Sequence, residues 1–521
     1  MREESVPEIA SSAERPAQTG TAAGNSLQAL GRWTAFEPLC LLLLVAAAFL
    51  IRLWGMTKMH FWDENVYLLN AGYFFNRHAG FMEIDQRPPL LPLLFAGVFH
   101  LWNSDYAAEI VTALLNALGP LFMFLAGRRI VGQSAAAIAA LLLAFGPFFV
   151  GVCSDGSGGF ALNCNGHSLL TDCPALTLAL VSLWLGLRAL EEPTVLRFLG
   201  FGFSLAMVVL MRFGSLSSVG ILSLLALAPQ RRVKASIAGA AGFVLGIGPY
   251  LCWSKLQYGG FLETLKRGWW NLGGNEEPFG YYLAILPQMI SWLGLAGLAL
   301  WLIRKGWELW GKRQPGDLPR MSSGIPGGSR LPWDLFLMFW AVAVLLFFSS
   351  LSHKEPRYAI PLAAPLLLLS GSGLSTLLMS GKNVLKKAGY ALLAGALIVT
   401  VWPSHHRFDG GFIDRSVSNE MIVAQFLKDS LPSSTVLYAN ENYPDFAYYS
   451  GLTVIDLPEG GDDLYAALKD LSAGSVLIAY KASDDDEGSP VEPALSFLDS
   501  NPRFTRIREF PTLVIYRTTG P

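Results

Sequence analysis

The residues best suited to chemistry stand beside aromatic or apolar neighbours, where a charge is costly to keep. The stretch 55–89 reads GMTKMHFWDENVYLLNAGYFFNRHAGFMEIDQRPP, and its adjacent acids Asp63 and Glu64 follow Phe61 and Trp62. Acids at a helix start commonly do no more than cap it or face its dipole. A carboxylate held at a membrane boundary can also serve as a general base. Another acid, Asp172, sits in LLTDCPALTLALVSLWLGL (169–187) two residues ahead of Pro174, which is capping chemistry as well. A further string, SHKEPRYAIPLAAP (352–365), holds His353, Lys354, Glu355 and Arg357. Lys and Arg are natural ligands for a phosphate; the competing reading is a cluster on lipid headgroups. Arg212 lies in apolar surroundings, where an Arg either works or snorkels to an interface. Asp155 and His167 could contribute to sugar or metal binding, and His167 alone says little.

The elements that must position these residues are mostly membrane helices. The 521-residue chain is 52% hydrophobic and 15% charged, where a soluble protein carries about a quarter charged residues. Net charge is −2, so nothing points to nucleic acid. A span needs ~20 mostly apolar residues. The candidates are 36–54, 107–129, 133–152, 172–190, 196–211, 213–229, 235–254, 282–303, 333–351, 358–379 and 385–402. Around Arg212 the stretch 196–229 is either two short helices or one long helix with a kink. PLLPLLFAGVFHLW (89–102) is short for a span and reads as a juxtamembrane or re-entrant helix. NVYLLNAGYFF, just after the two acids, has helical apolar spacing and reads as a helix lying along the membrane.

Lys and Arg alternate from turn to turn, and the loop 153–171 has neither. The positive-inside rule then places the N-terminus in the cytoplasm and 404–521 outside it; the membrane expected is the plasma (inner) membrane. On that reading Lys354 and Arg357 lie on the outer face, where the rule gives no reason for cations. Residues 1–30 are polar, without signal-peptide order, and read as a disordered cytoplasmic leader. The five cysteines form no CxxC pair, so a zinc site is not expected. Cys153 and Cys164 are either a disulfide or free thiols. In the tail, STVLYA, LTVID, GSVLIAY and TLVIYR read as strands, alternating with the helical NEMIVAQFLKDSL and DDLYAALKDL. That pattern predicts a small α/β domain over 404–521. Asn440, Glu441, Asn442 and Tyr443 suit sugar or peptide contact, or simply a turn after a strand. DDDEG at 484–488 lacks calcium-loop spacing and reads as a solvated loop. The fold class expected is thus an all-α polytopic membrane protein of about 11 spans, with juxtamembrane helices in the first outer loop and a C-terminal α/β domain.

The order of one span, a long loop opening on Asp63-Glu64, an amphipathic helix, Arg87-Pro-Pro-Leu and then paired spans resembles the GT-C membrane glycosyltransferases. The likeness is to bacterial relatives of protein O-mannosyltransferases and lipid A aminoarabinose transferases, over 36 to about 402 and best over 61–192. The resemblance implies a catalytic domain at 31–403 and sugar transfer, with inversion, from a polyprenyl-phosphate carrier to an acceptor hydroxyl. Asp63 matches the family's catalytic base and Glu64 its usual neighbour. Asp172 would face the same cavity. His353, Lys354, Glu355, Arg357, Arg212 and Arg87 would bind the donor. The acceptor could be lipid, glycan or protein. No cofactor is required by this scheme; a divalent metal near Asp63, Asp155 and His167 is possible but not indicated. The rivals are a lipid-linked sugar transporter or flippase, a structural or export protein, and an oligosaccharide ligase.

Overall fold

Apolar runs long enough for a bilayer fold here as helices, because in lipid each backbone polar group must find its partner within the chain. The computed structural model describes residues 36–60, 62–74, 86–150, 169–227, 232–270, 277–311, 333–378, 412–439, 441–458, 461–481 and 491–519. Among them five helices are long and apolar enough to cross a membrane: Asp105–Ile130, Asp172–Glu191, Val233–Tyr258, Leu286–Glu308 and Pro356–Leu378. Shorter apolar helices include Phe36–Leu53, Leu90–Phe99, Gln133–Phe145, Val195–Met211 and Trp333–Ser349. Leu42, Leu43, Val244, Leu245, Leu302 and Ile303 stand exposed on such helices, which a lipid environment makes harmless. The leader 1–30, the expected span 385–402, the Cys153–Cys164 pair, Asp155, His167, Asn440 and DDDEG lie outside the described residues.

Small residues let the helix backbones touch. A Cβ on Gly202 would fall 1.8 Å from the Gly239 carbonyl oxygen, and one on Gly242 would fall 2.0 Å from that of Leu199. The helices Val195–Met211 and Arg232–Tyr258 therefore cross backbone to backbone, where close packing rather than water expulsion holds them. The ambiguous stretch at Arg212 is a break. The helix stops at Met211, Arg212 is extended (φ −156°, ψ 116°), and a second helical segment runs Phe213–Leu227. The helix Leu286–Gly311 is kinked at Ser291, whose φ of 65° is rare for a residue with a Cβ.

The C-terminal part folds as a five-stranded sheet of β1 (Val436–Ala439), β2 (Thr453–Asp456), β3 (Val476–Tyr480), β4 (Phe504–Glu509) and β5 (Leu513–Thr518), in the order β2-β1-β3-β5-β4. β1 pairs in parallel with β2 and β3, while β5 runs antiparallel to β3 and β4. Helices Tyr443–Ser450, Gly461–Asp470 and Val491–Ser500 link the strands. Asn442 opens the first of them in the left-handed region (φ 46°) and donates from Nδ2 to the Tyr480 hydroxyl at 3.0 Å. The Asn440–Tyr443 region, as far as it is described, is thus a turn from strand into helix.

This domain is tied to the first loop. The amides of Gly55 and Met56 donate to the Phe412 carbonyl, each at 3.1 Å, and the Asp414 amide donates to Met56 O at 2.7 Å. Leu69, on the helix Trp62–Phe74, is buried in the same cluster as Leu437, Val454, Ile478 and Ile515 of the sheet.

Candidate active site

Asp63 lies in the first turn of the helix Trp62–Phe74, whose N-terminal dipole favours an anion. Its carboxylate is gripped from two sides. Arg87 Nη2 is 2.9 Å from Oδ1, and Arg357 Nη1 is 2.6 Å from Oδ2. Arg87 comes from the segment ahead of the helix Leu90–Phe99 and lies over the Trp62 ring at 5.2 Å. Arg357 comes from the short 3-10 turn Pro356–Leu362. Burial alone would lift the Asp63 carboxyl; Arg87 and Arg357 outweigh it and hold the group well below the usual carboxylate range.

The string around Arg357 is knotted on Glu355. Arg357 Nε pairs with Oε2. Oε1 meets His353 Nε2 at 2.9 Å and accepts from the Tyr358 hydroxyl at 3.0 Å. Burial would raise the Glu355 carboxyl, but Arg357 and His353 keep it below its ordinary value. Tyr358 in turn stacks under Arg212, whose guanidinium carbon is 5.0 Å from the ring centroid, within cation–π range.

Asp172 begins the helix Asp172–Glu191, but its side chain does not serve as a cap. It pairs with Arg212 at 2.8 Å, and its side chain is 1% exposed. That contact is an ion pair without hydrogen-bond alignment: among the described residues neither Asp172 oxygen accepts a hydrogen bond. The extended backbone at Arg212 breaks the helix and marks the point from which the guanidinium reaches Asp172.

An open cavity of about 100 Å³ joins the two pairs. Asp63, Arg87, Asp172, Arg212 and Arg357 line it, together with Tyr67, Thr171, Tyr358 and an apolar wall of Phe213, Phe347, Phe348 and Leu351. Tyr67 and Thr171 hydroxyls are 3.4 Å apart across it. A few ordered waters or a phosphate-sized group fit such a space. With Glu355 behind Arg357, three acidic side chains face three guanidiniums.

The sequence-derived candidates do not all reach this cavity. Glu64 is buried and accepts from the Leu169 amide at 2.6 Å, which fixes the segment leading into Asp172. Lys354 is buried too and donates to the Glu277 carbonyl at 2.7 Å, and His353 stays on Glu355. None of the three lines the cavity. Tyr67, Thr171 and Tyr358 do line it and were not singled out from sequence, although Tyr358 closes the HKEPRY string. Among the described residues no three His, Cys, Asp or Glu side chains gather as a metal site.

With this geometry in place, the chain can be compared with known proteins. A family model described as dolichyl-phosphate-mannose-protein mannosyltransferase matches residues 86–253. The undecaprenyl phosphate-alpha-4-amino-4-deoxy-L-arabinose arabinosyl transferase of Edwardsiella ictaluri is 26% identical over 313 residues, 57% of this chain and 49% of that one. The protein of the same name from Aeromonas salmonicida is 31% identical over 154 residues, 28% of this chain and 24% of that one. The match thus spans about half the length of the first relative and about a quarter of the second. The crystal structure of ArnT from Cupriavidus metallidurans bound to undecaprenyl phosphate superposes with a TM-score of 0.58 at 14% identity, covering 94% of this chain and all of that one. The archaeal oligosaccharyltransferase AglB from Archaeoglobus fulgidus, in complex with an inhibitory peptide and a dolichol-phosphate, superposes at 0.52 with 12% identity, covering 86% and 70%. The fold is therefore that of ArnT, with a mostly helical membrane part and a small C-terminal sheet.

Proposed function

We propose that this chain, a membrane protein with the fold of the GT-C glycosyltransferases, moves a sugar from a polyprenyl-phosphate carrier to an acceptor hydroxyl at the outer face of the membrane, with inversion. The observation that carries this is Asp63 held between Arg87 and Arg357 at the edge of a cavity with an apolar wall. Relatives named for undecaprenyl phosphate, and a fold neighbour crystallised with it, support that class of carrier. The Lys and Arg bias of the loops supports a cytoplasmic N-terminus and an external C-terminal domain, and the bacterial relatives named for undecaprenyl phosphate support an inner-membrane location. On this reading 1–30 is a leader, 31–403 the catalytic part and 404–521 the outer domain.

The acceptor oxygen attacks the anomeric carbon, and the bond from that carbon to the phosphate oxygen breaks. Its electron pair leaves with the polyprenyl phosphate. Asp63 takes the acceptor proton. A carboxylate as strongly stabilised as Asp63 is a weak base, and the step needs a reason for it to strengthen. The donor supplies one. Its phosphate competes for Arg87 and Arg357, and Asp63 becomes more basic as those guanidiniums turn to the leaving group. Arg212, held over Tyr358, adds a third positive charge to the seat. Asp172 keeps Arg212 in place. Glu64 steadies the loop, Glu355 orients Arg357, and His353 and Lys354 anchor the string that carries Glu355 and Arg357. No metal enters this scheme.

The test is turnover of labelled polyprenyl-phosphate sugars by purified protein, with Asp63→Asn alongside. A loss of ~100-fold or more in the variant is expected for a general base. Equal rates would end the base assignment. No turnover with any such donor, together with movement of the intact lipid-linked sugar across a bilayer, would establish a transporter instead.

A further inference from the structure

The helix that carries Asp63 is held from its other side by the C-terminal domain. Asn65, two residues beyond Asp63, is fully buried, and its Nδ2 donates to Asp445 Oδ1 at 2.6 Å and to the His60 carbonyl at 2.9 Å. Asp445 belongs to the helix Tyr443–Ser450 of the C-terminal domain. From the same helix, the Tyr449 hydroxyl accepts from the His60 amide at 2.7 Å and is 3.1 Å from Lys58 O. The Tyr448 hydroxyl donates to Asp105 at 2.5 Å. Tyr443 meets Trp62 edge to face at 5.6 Å, and Leu69 completes the domain's own core. The residues on either side of Asp63 are therefore fixed by the domain, while the guanidiniums facing it come from other elements.

We infer that Asp445 is a positioning residue for Asp63: through Asn65 it couples the C-terminal domain to the helix that aims the carboxylate into the cavity. This rests on the glycosyl-transfer reading of that site. A buried Asn amide and a buried carboxylate, both removed from water, bond strongly to each other and are costly to separate. Small displacements of a reacting group lower rates steeply. Arg87, Arg212 and Arg357 do not lie on the helix Trp62–Phe74, so carrier binding is expected to survive a loss that turnover does not.

The experiment compares wild type, Asp445→Leu and Asp445→Asn in nanodiscs, with turnover of a polyprenyl-phosphate sugar and amide hydrogen exchange read on each. Leu matches the shape without the acceptor; Asn keeps an acceptor oxygen. In Asp445→Leu, kcat should fall at least ~10-fold with the donor KM unchanged, and amides of 62–74 should exchange faster while β3 and β5 stay protected. Asp445→Asn should restore both readouts. Unchanged exchange over 62–74 in Asp445→Leu overturns the coupling, whatever the activity. A rise in KM without a fall in kcat, or equal impairment of the two variants, overturns the positioning role. If wild type itself turns over no donor, the proposed function fails, and the exchange arm still decides the coupling. Exchange that rises across the whole C-terminal domain as well would mean general unfolding, and would also count against the inference.

Discussion

Asp63 and Asp445 are both withdrawn from water, both on or against one short helix, and their proton affinities move in opposite directions. Burial pushes the Asp445 carboxyl up to about 7; the Asn65 hydrogen bond opposes that rise, and Glu420 and Glu64 add to it. Burial acts on Asp63 as well, yet two guanidiniums reverse its effect. Removal from water raises the proton affinity of both, and only where guanidiniums stand against the carboxylate is the sign reversed. The first turn of the helix therefore carries a carboxylate held ionised by its two guanidiniums, and two residues on, through Asn65, it meets a carboxyl of the C-terminal domain that changes state near neutrality.

The sharpest way to break this contrast is at Asp63. Asp63→Asn should lose ~100-fold or more in turnover, yet bind undecaprenyl phosphate about tenfold tighter, because a competing anion has been removed from the guanidiniums. Weaker lipid binding in that variant, by titration or native mass spectrometry, would contradict the competition. Next in size is Arg357→Ala. It leaves Asp63 with Arg87 alone and Glu355 with His353 and Tyr358, and since both side chains retain some access to water (16% and 20%) the loss should not exceed the low end for a broken buried pair, about 3 kcal/mol. Thermal unfolding in detergent would measure it, and Arg357→Lys should recover part.

The Asp445 end predicts a pH effect. A carboxyl whose affinity is raised on folding takes up a proton that the unfolded chain does not. Its contribution is greatest below about pH 4 and is lost as pH rises through about 7, a change on the order of 2 to 4 kcal/mol. Tyr449, Tyr480, Glu64 and Glu420 are the other titratable groups facing it. Tm measured from pH 5 to 8 should therefore slope downward in wild type and lose most of that slope in Asp445→Asn. The same slope in both proteins would show that Asp445 is not its source. The smallest effect belongs to Arg506, an exposed residue paired with Asp499 at 2.7 Å on the edge strand. Arg506→Ala should cost under ~1 kcal/mol and fade in salt. A loss as large as that of Arg357→Ala would mean that edge charges matter as much here as buried ones.

How much of this was legible in the sequence follows from the same physics. Asp63, Asp172, Arg212 and Arg357 are conspicuous because a charge in an apolar run needs a reason. Their pairing could not be read, since it depends on four separate elements. Nor could the direction of Glu64, because successive helical residues point about 100° apart and an adjacent acid can face the backbone instead of the cavity, nor that of Lys354, which lies on irregular backbone ahead of the 3-10 turn. The apolar strands β1, β2, β3 and β5 were visible as runs. β4 (FTRIRE) was not, because an edge strand with one buried residue shows no apolar signal. The helix Tyr443–Ser450 was equally hidden, being short and opened by a left-handed Asn442. Asn65 and Asp445 are ordinary polar residues in sequence, and 380 positions separate them. The break at Arg212 sharpened an ambiguity that apolar content alone leaves open.

That separation bears on how the protein is made. Asp63 leaves the ribosome early, while Phe412, Asp414 and Asp445, which pin its flanks, emerge only after the intervening helices. Closing so long a loop is slow, and chains fold largely in the order of synthesis. The site is therefore incomplete through most of translation and insertion. On the proposed function, a nascent or truncated chain lacking the last segment would carry Asp63 without the support that aims it, so activity would begin only once the segment bearing Asp445 has been delivered.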